Sequence, residues 1–206
     1  MKNPYQKIYL ASKSPRRREL LRQIGVVFEL LLLRDQTPRG PDVSEEVLPD
    51  ESPQAYVARV TMEKAEAAQR MMVWRSLPVR PILAADTTVT IDGRILGKPA
   101  DRDEARAMLR LLSGRSHQVL TSVAVIYRDQ SWQLTQVSDV VFQELPEAMI
   151  EAYCATSEPY DKAGAYGIQG PAAIFIESIR GSHSGIMGLP LFETAQLLQQ
   201  AGIRIL

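Results

Sequence analysis

The run Ser14-Pro15-Arg16-Arg17-Arg18 places three guanidinium groups where a helix is predicted to begin. Serine is a preferred N-cap and proline suits the first helical position, so Arg16 and Arg17 fall in the first turn. Cations there oppose the helix dipole, which favours anions at that end. An incoming polyanion resolves the conflict, because free N–H groups, the dipole and two guanidinium forks would converge on phosphate. The competing reading is a solvated basic face. Lys64 is the second clue: on a helical wheel it lies within the apolar stripe of Tyr56, Val60, Ala67 and Met71, with Val57 and Ala68 at its edge. It either snorkels past that surface or points into a pocket that holds an anion.

Asp86 ends the apolar run Ile82 to Ala85 and precedes Thr87. An Asp92-Gly93 hairpin turn would set Ile91 opposite Arg94 and, counting back, Thr87 opposite Lys98. A carboxylate ending a buried strand beside a lysine suits a general base, a metal ligand or a structural ion pair. The acidic loop Asp42 to Glu46 offers further oxygen ligands, with Glu45 chosen and Asp42 and Glu46 as alternatives. Such hard ligands suit Mg²⁺ or Mn²⁺. The loop "KAGAYGIQG" (162–170) lets backbone approach a ligand closely, and Gln169 offers a donor and an acceptor to a base edge.

These groups need a scaffold, and the patterning predicts one. A short strand at Ile8–Ala11 leads into the arginine helix, whose apolar face is Leu20, Leu21 and Ile24 and whose stop is Gly25. A second strand, "VVFELLLL", precedes a proline-rich acidic loop over 34–51. Ser52-Pro53 opens a long helix to about Val73, and "ILAADTTVTIDGRILGKP" reads as strand, turn and return strand. Asp101–Leu112 is a helix with Glu104 three residues after its cap, followed by the strands "QVLTSVAVIY" and "QLTQVSDVVF". A short helix at Pro146–Ala155, the glycine loop, a strand "AAIFIESI" and a terminal helix in "GLPLFETAQLLQQAG" complete the chain. Alternation at the front with a strand-rich middle predicts a mixed α/β sheet flanked by helices.

The 206 residues carry 24 basic and 24 acidic side chains, which suits one domain over 1–206, pictured as one core or as two lobes around a cleft. Zero net charge argues against a general nucleic-acid or membrane-surface role. The single Cys154 excludes an internal disulfide and a multi-cysteine zinc site, and "AMIEAYCA" places it in the core. His117 and His183 lack metal-ligand spacing, and no nucleophile-elbow, Walker or dinucleotide motif occurs. No signal peptide is read at the N-terminus, and no window reaches the roughly 18 apolar residues of a spanning helix, so a cytoplasmic protein is expected.

Four blocks, "LASKSPRRRELL", "AADTTVTIDGRILGKPADRDEARAMLRLLSGRSHQVLT", "DKAGAYGIQG" and "GLPL", together resemble the Maf family of nucleoside triphosphate pyrophosphatases, in order and along nearly the whole chain. The resemblance implies a fold related to inosine triphosphate pyrophosphatases, a homodimer, a divalent metal, and hydrolysis of a nucleoside triphosphate to monophosphate and pyrophosphate. It places the catalytic proton acceptor on Asp86 and phosphate-binding residues on Arg16, Arg17, Lys64 and Lys98, with Ser12 beside them as a substrate-binding residue. Arg16, Thr87 and Gln169 match the branch acting on dTTP and UTP, with modified pyrimidine nucleotides a close variant. The branch acting on 7-methyl-GTP has a bulky aromatic at the first of these positions. The family usually has two adjacent acids where this chain has Ser44 and Glu45, and its "SGIMGLP" ending is a variant. A rival implication is a nucleotide-binding regulator of septum formation with little turnover.

Overall fold

A computed structural model describes residues 7–34 and 41–205. The residues before Lys7, where the N-terminal targeting expectation falls, and 35–40 of the expected acidic loop lie outside the described residues. The described elements are β1 (Lys7–Leu10), α1 (Pro15–Gln23), β2 (Val27–Leu30), α2 (Pro53–Trp74), β3 (Ile82–Ile91), β4 (Arg94–Leu96), α3 (Arg102–Leu112), β5 (Ser116–Tyr127), β6 (Gln130–Phe142), α4 (Glu147–Cys154), β7 (Ile176–Arg180), α5 (His183–Ile186) and α6 (Leu191–Gln200).

The strands form one mixed seven-stranded sheet in the order β2-β1-β3-β5-β6-β7, with β4 also paired to β3. β1 runs parallel to β2 and β3, and the remaining pairs are antiparallel. The expected mixed sheet flanked by helices is what forms. Side chains alternate between faces along β3. Leu83 and Ala85 pack with Leu20 and Leu21 of α1 and Leu197 and Leu198 of α6. Ile82 and Ala84 pack on the other face with Ala65, Ala68 and Met72 of α2. Further along β3, Val89 and Ile91 join a separate core with α3 and α4, which includes the buried, unpaired thiol of Cys154.

Two pairings on one edge of β3 create the feature that matters most. β1 covers Ile82 and Leu83, and β4 covers Val89 to Ile91, while β5 lines the whole opposite edge. Between β1 and β4, the edge at Ala84–Thr88 has no described strand beside it. Residues that point to opposite faces of the sheet, Asp86 and Thr87 among them, can therefore both reach one opening.

The hairpin forms as expected, with Ile91 opposite Arg94 and with Asp92 and Gly93 at φ 52° and 75°. Two neighbouring expectations need correction. The ladder ends at Val89–Leu96, so Thr87 and Lys98 are not cross-strand partners. Asp86 also lies within a continuous ten-residue strand rather than at a strand end, because β5 supports β3 through Thr90. The expected strand "AAIFIESI" starts as a 3₁₀ turn, Pro171–Phe175, and only Ile176–Arg180 is extended. Proline at the start of that segment fixes φ and gives no ladder donor. The second strand is shorter than its apolar run, four residues at a sheet edge where burial is low.

Candidate functional site

All nine residues singled out from the sequence line one cavity of about 920 Å³ at the gap in the β3 edge: Ser12, Arg16, Arg17, Glu45, Lys64, Asp86, Thr87, Lys98 and Gln169. They come from six segments, and the fold brings all of them together.

The arginine run divides its labour. Ser14 caps α1, its hydroxyl accepting from the Arg17 N–H at 3.4 Å, and Pro15 follows. Arg18 turns away to donate to the Lys13 carbonyl at 2.5 Å, while Arg16 and Arg17 line the cavity. Arg17 donates through Nε to the Gly188 carbonyl at 2.7 Å, through Nη1 to Ser12 Oγ at 3.2 Å, and through Nη2 to Thr87 Oγ1 at 3.2 Å. A guanidinium has five N–H bonds, so two remain for a ligand on a fork already fixed by the other three. Burial pulls the Arg17 pKa down, against the carboxylates of Asp86 and Glu45. Bound phosphate would offset that burial penalty.

Thr87 is itself held. Thr121 Oγ1, fully buried on β5, lies 3.0 Å from Thr87 Oγ1 and 2.8 Å from the Gly185 carbonyl. This hydroxyl ties β3 to the α5 turn, whose Gly188 carbonyl holds Arg17. Gly188, at φ 112°, takes a conformation that disfavours any side chain.

Across the sheet edge, α2 supplies Lys64. Its ammonium lies 2.7 Å from Asp86 Oδ1 and 2.6 Å from Glu45 Oε1, with the lysine and aspartate side chains mostly buried. Burial works against the charged lysine, but the two carboxylates outweigh it and hold its pKa above the ordinary value. Among the alternatives in the acidic loop, Glu45 is the acid brought to Asp86. Asp42 is engaged by Arg34 at 2.9 Å, and Glu46 presents its carbonyl to Arg59 at 2.9 Å. The loop is clasped from below by Tyr56, which donates to the Glu45 carbonyl at 3.0 Å, and by Arg59 on Glu51 at 2.7 Å. Burial beside Asp86 and Glu45 pushes the Tyr56 phenol up to about 12, so it remains a donor.

The glycine loop closes the far side. Gly164 at φ 70° sits against Val89, where a Cβ would come within 3.0 Å, and its N–H donates to the Gly97 carbonyl at 3.0 Å. That contact sets Lys98, one residue on, beside the loop that carries Gln169. Arg16 comes within 4.0 Å of Asp161, which pairs with Lys162 at 2.5 Å.

A family model described as Maf-like protein matches residues 7–201. The chain belongs to the Maf-like family. This Maf-like chain is 55% identical over 203 residues to the dTTP/UTP pyrophosphatase of Aromatoleum aromaticum, covering 98% of each. It is 52% identical over 198 residues to the one from Nitrosomonas europaea, covering 96% of each. A solved structure of the Staphylococcus aureus Ham1 protein aligns with 66% of this chain and 71% of its own at 14% identity and a TM-score of 0.44, too distant to bear on the site.

Several residues that shape the Maf-like site were not singled out from the sequence. Lys162 and Glu158 line the cavity beside the glycine loop, and Thr121, Tyr56 and Arg59 support it. Lys162 lies inside the quoted loop and had a visible signal, a lysine at the start of a glycine-rich turn. Thr121 had none, since a threonine in a buried strand is ordinary.

Two carboxylates converging on one cation are also what a divalent ion needs from a protein that leaves its other positions to water and phosphate. Asp86 and Glu45 fit such an ion in donor type, and the point they approach in common is the Lys64 ammonium. Among the described residues no group of three or more His, Cys, Asp and Glu could hold a metal. No described helix is long and apolar enough to cross a membrane.

Proposed function

We propose that the chain hydrolyses dTTP and UTP to the monophosphate and pyrophosphate. The observation that carries this reading is the convergence of Arg17, Lys64 and Lys98 with Asp86 on one cavity, because a polyanion site that only bound would gain nothing from a carboxylate among its cations. The names of the close relatives support the choice of nucleotide, and Arg16, Thr87 and Gln169 support the pyrimidine branch.

The triphosphate docks on the Arg16 N–H, the one first-turn amide of α1 without an acceptor among the described residues, and on the side chains of Arg16, Arg17, Lys64 and Lys98. Among the described residues, Oδ1 of Asp86 alone is held by a protein hydrogen bond, which leaves the second oxygen for a water molecule. Asp86 takes a proton from that water as its oxygen attacks the α-phosphorus. The new P–O bond forms while the bond from the α-phosphorus to the bridging oxygen breaks, and pyrophosphate leaves with that electron pair. The lysines and Arg17 stabilise the charge that develops on the leaving group. Asp86 and Glu45 would hold a Mg²⁺ or Mn²⁺ ion, which when bound supplies charge neutralisation to the phosphate oxygens.

Product analysis tests the reading. Equimolar dTMP and pyrophosphate from dTTP are expected, and dTDP with inorganic phosphate would overturn attack at the α-phosphorus. Asp86→Asn should lower kcat by at least about two orders of magnitude, on the scale of a preorganised catalytic group. Turnover within tenfold of wild type would remove Asp86 from the role.

A further inference from the structure

The acids that line the cavity are not equivalent. Asp86 and Glu45 share Lys64, and Asp161 is paired with Lys162 and lies near Arg16. Glu158 lines the same cavity, yet among the described residues no cation comes within ion-pair distance of its carboxylate. Lys162 reaches only its backbone carbonyl, at 2.8 Å. A polyanion drawn to the Arg17, Lys64 and Lys98 end would leave its uncharged portion toward Glu158.

The Glu158 carboxylate is firmly placed. Tyr153 donates its phenol to Oε1 at 3.2 Å. A Cβ on Gly170 would fall 2.2 Å from Oε1 and 2.3 Å from Oε2, and one on Gly167 would fall 3.1 Å from Oε1. The carboxylate thus lies flush against Gly170, one residue from Gln169, whereas a Cβ on Gly167 would first meet the Lys162 side chain, at 2.7 Å. An ionised carboxylate only accepts hydrogen bonds, with about four sites on its two oxygens, and Tyr153 fills one.

We infer that Glu158 is a specificity-determining residue that accepts the imide N–H of a pyrimidine dione, beside a base carbonyl read by Gln169. This rests on the proposed activity toward dTTP and UTP. Thymine and uracil present one N–H between two carbonyls, which matches an acceptor next to an amide donor. Cytosine presents a lone pair at the same ring nitrogen, which a carboxylate repels. A site that commits a charged acceptor to a substrate N–H discriminates against the analogue that lacks it.

Glu158→Gln keeps the size of the side chain and an oxygen for Tyr153, so the loop packing is retained. The experiment compares kcat/KM for dTTP, UTP and CTP in wild type and Glu158→Gln, together with inhibition by inorganic tripolyphosphate, which has no base. The expected result is a fall of about 10–100-fold for dTTP and UTP, the range for losing a hydrogen bond to a charged group. CTP turnover should hold or rise, because the amide can donate to its ring nitrogen, and tripolyphosphate inhibition should be unchanged. An equal fall for all three nucleotides would overturn the assignment in favour of a sugar contact or a supporting role, and no change for dTTP would overturn it outright. Wild-type turnover of dTTP is read first. Its absence would overturn the underlying activity, and that failure is visible without the variant.

Discussion

Arg17 shows how a single side chain can be committed before its ligand arrives. Three of its five N–H bonds go to Gly188, Ser12 and Thr87, so the remaining two point into the cavity without further ordering. Lysine cannot reproduce three directed contacts from one plane. Arg17→Lys should therefore lower kcat/KM for dTTP by about 100-fold and weaken tripolyphosphate inhibition in parallel, as steady-state kinetics would read. A fall in kcat/KM with tripolyphosphate inhibition intact would contradict a phosphate role. The importance of Arg17 was legible in the sequence from its clash with the helix dipole. Its anchors were not, because Gly188 lies 171 residues away and carries no side chain to advertise the contact.

Elements decide which residues meet. The gap between β1 and β4 lets Asp86 and Thr87 share a cavity although they face opposite sides of the sheet. The motifs were legible one by one, and so was the Asp92-Gly93 hairpin. The gap was not, because strand order and the end of the β4 ladder are set by long-range pairing. Counting back along the hairpin carried the register two pairs too far for that reason. The loop 41–51 illustrates support from a neighbouring element, with Arg59 and Tyr56 of α2 holding the segment that carries Glu45. Arg59 engages Glu51 strongly enough to hold that carboxylate down at about 2. Arg59→Met should release the loop and raise the Mg²⁺ or Mn²⁺ concentration for half-maximal turnover several-fold, with kcat at saturating metal within about threefold of wild type. An unchanged metal requirement in a metal titration would show that the clasp does not position Glu45.

At the scale of the whole molecule, the sheet joins one core around α1 and α6 to another around α3 and α4, and the cavity lies where they meet. His117 is sealed in the second core, 2% exposed, with Nε2 2.8 Å from the Tyr166 hydroxyl and its ring against Phe142. Burial pushes its pKa down to about 4 from the usual 6.5. Between those values the unfolded chain binds a proton that the folded chain refuses, so stability falls as pH drops from 6.5 toward 4, by about 3 kcal/mol in all. Thermal denaturation across that range should show this component in wild type and not in His117→Gln, and identical pH profiles would exclude it. The sequence placed no role on His117 because its burial depends on strand β5 packing against Tyr166 and Phe142 from distant segments. Pyrophosphate release from dTTP, UTP, CTP and 7-methyl-GTP, with and without Mn²⁺, tests the central claim most directly. Metal-dependent release from dTTP and UTP, well above the other two, is the predicted result, whereas nucleotide binding with no pyrophosphate released from any of the four would contradict it.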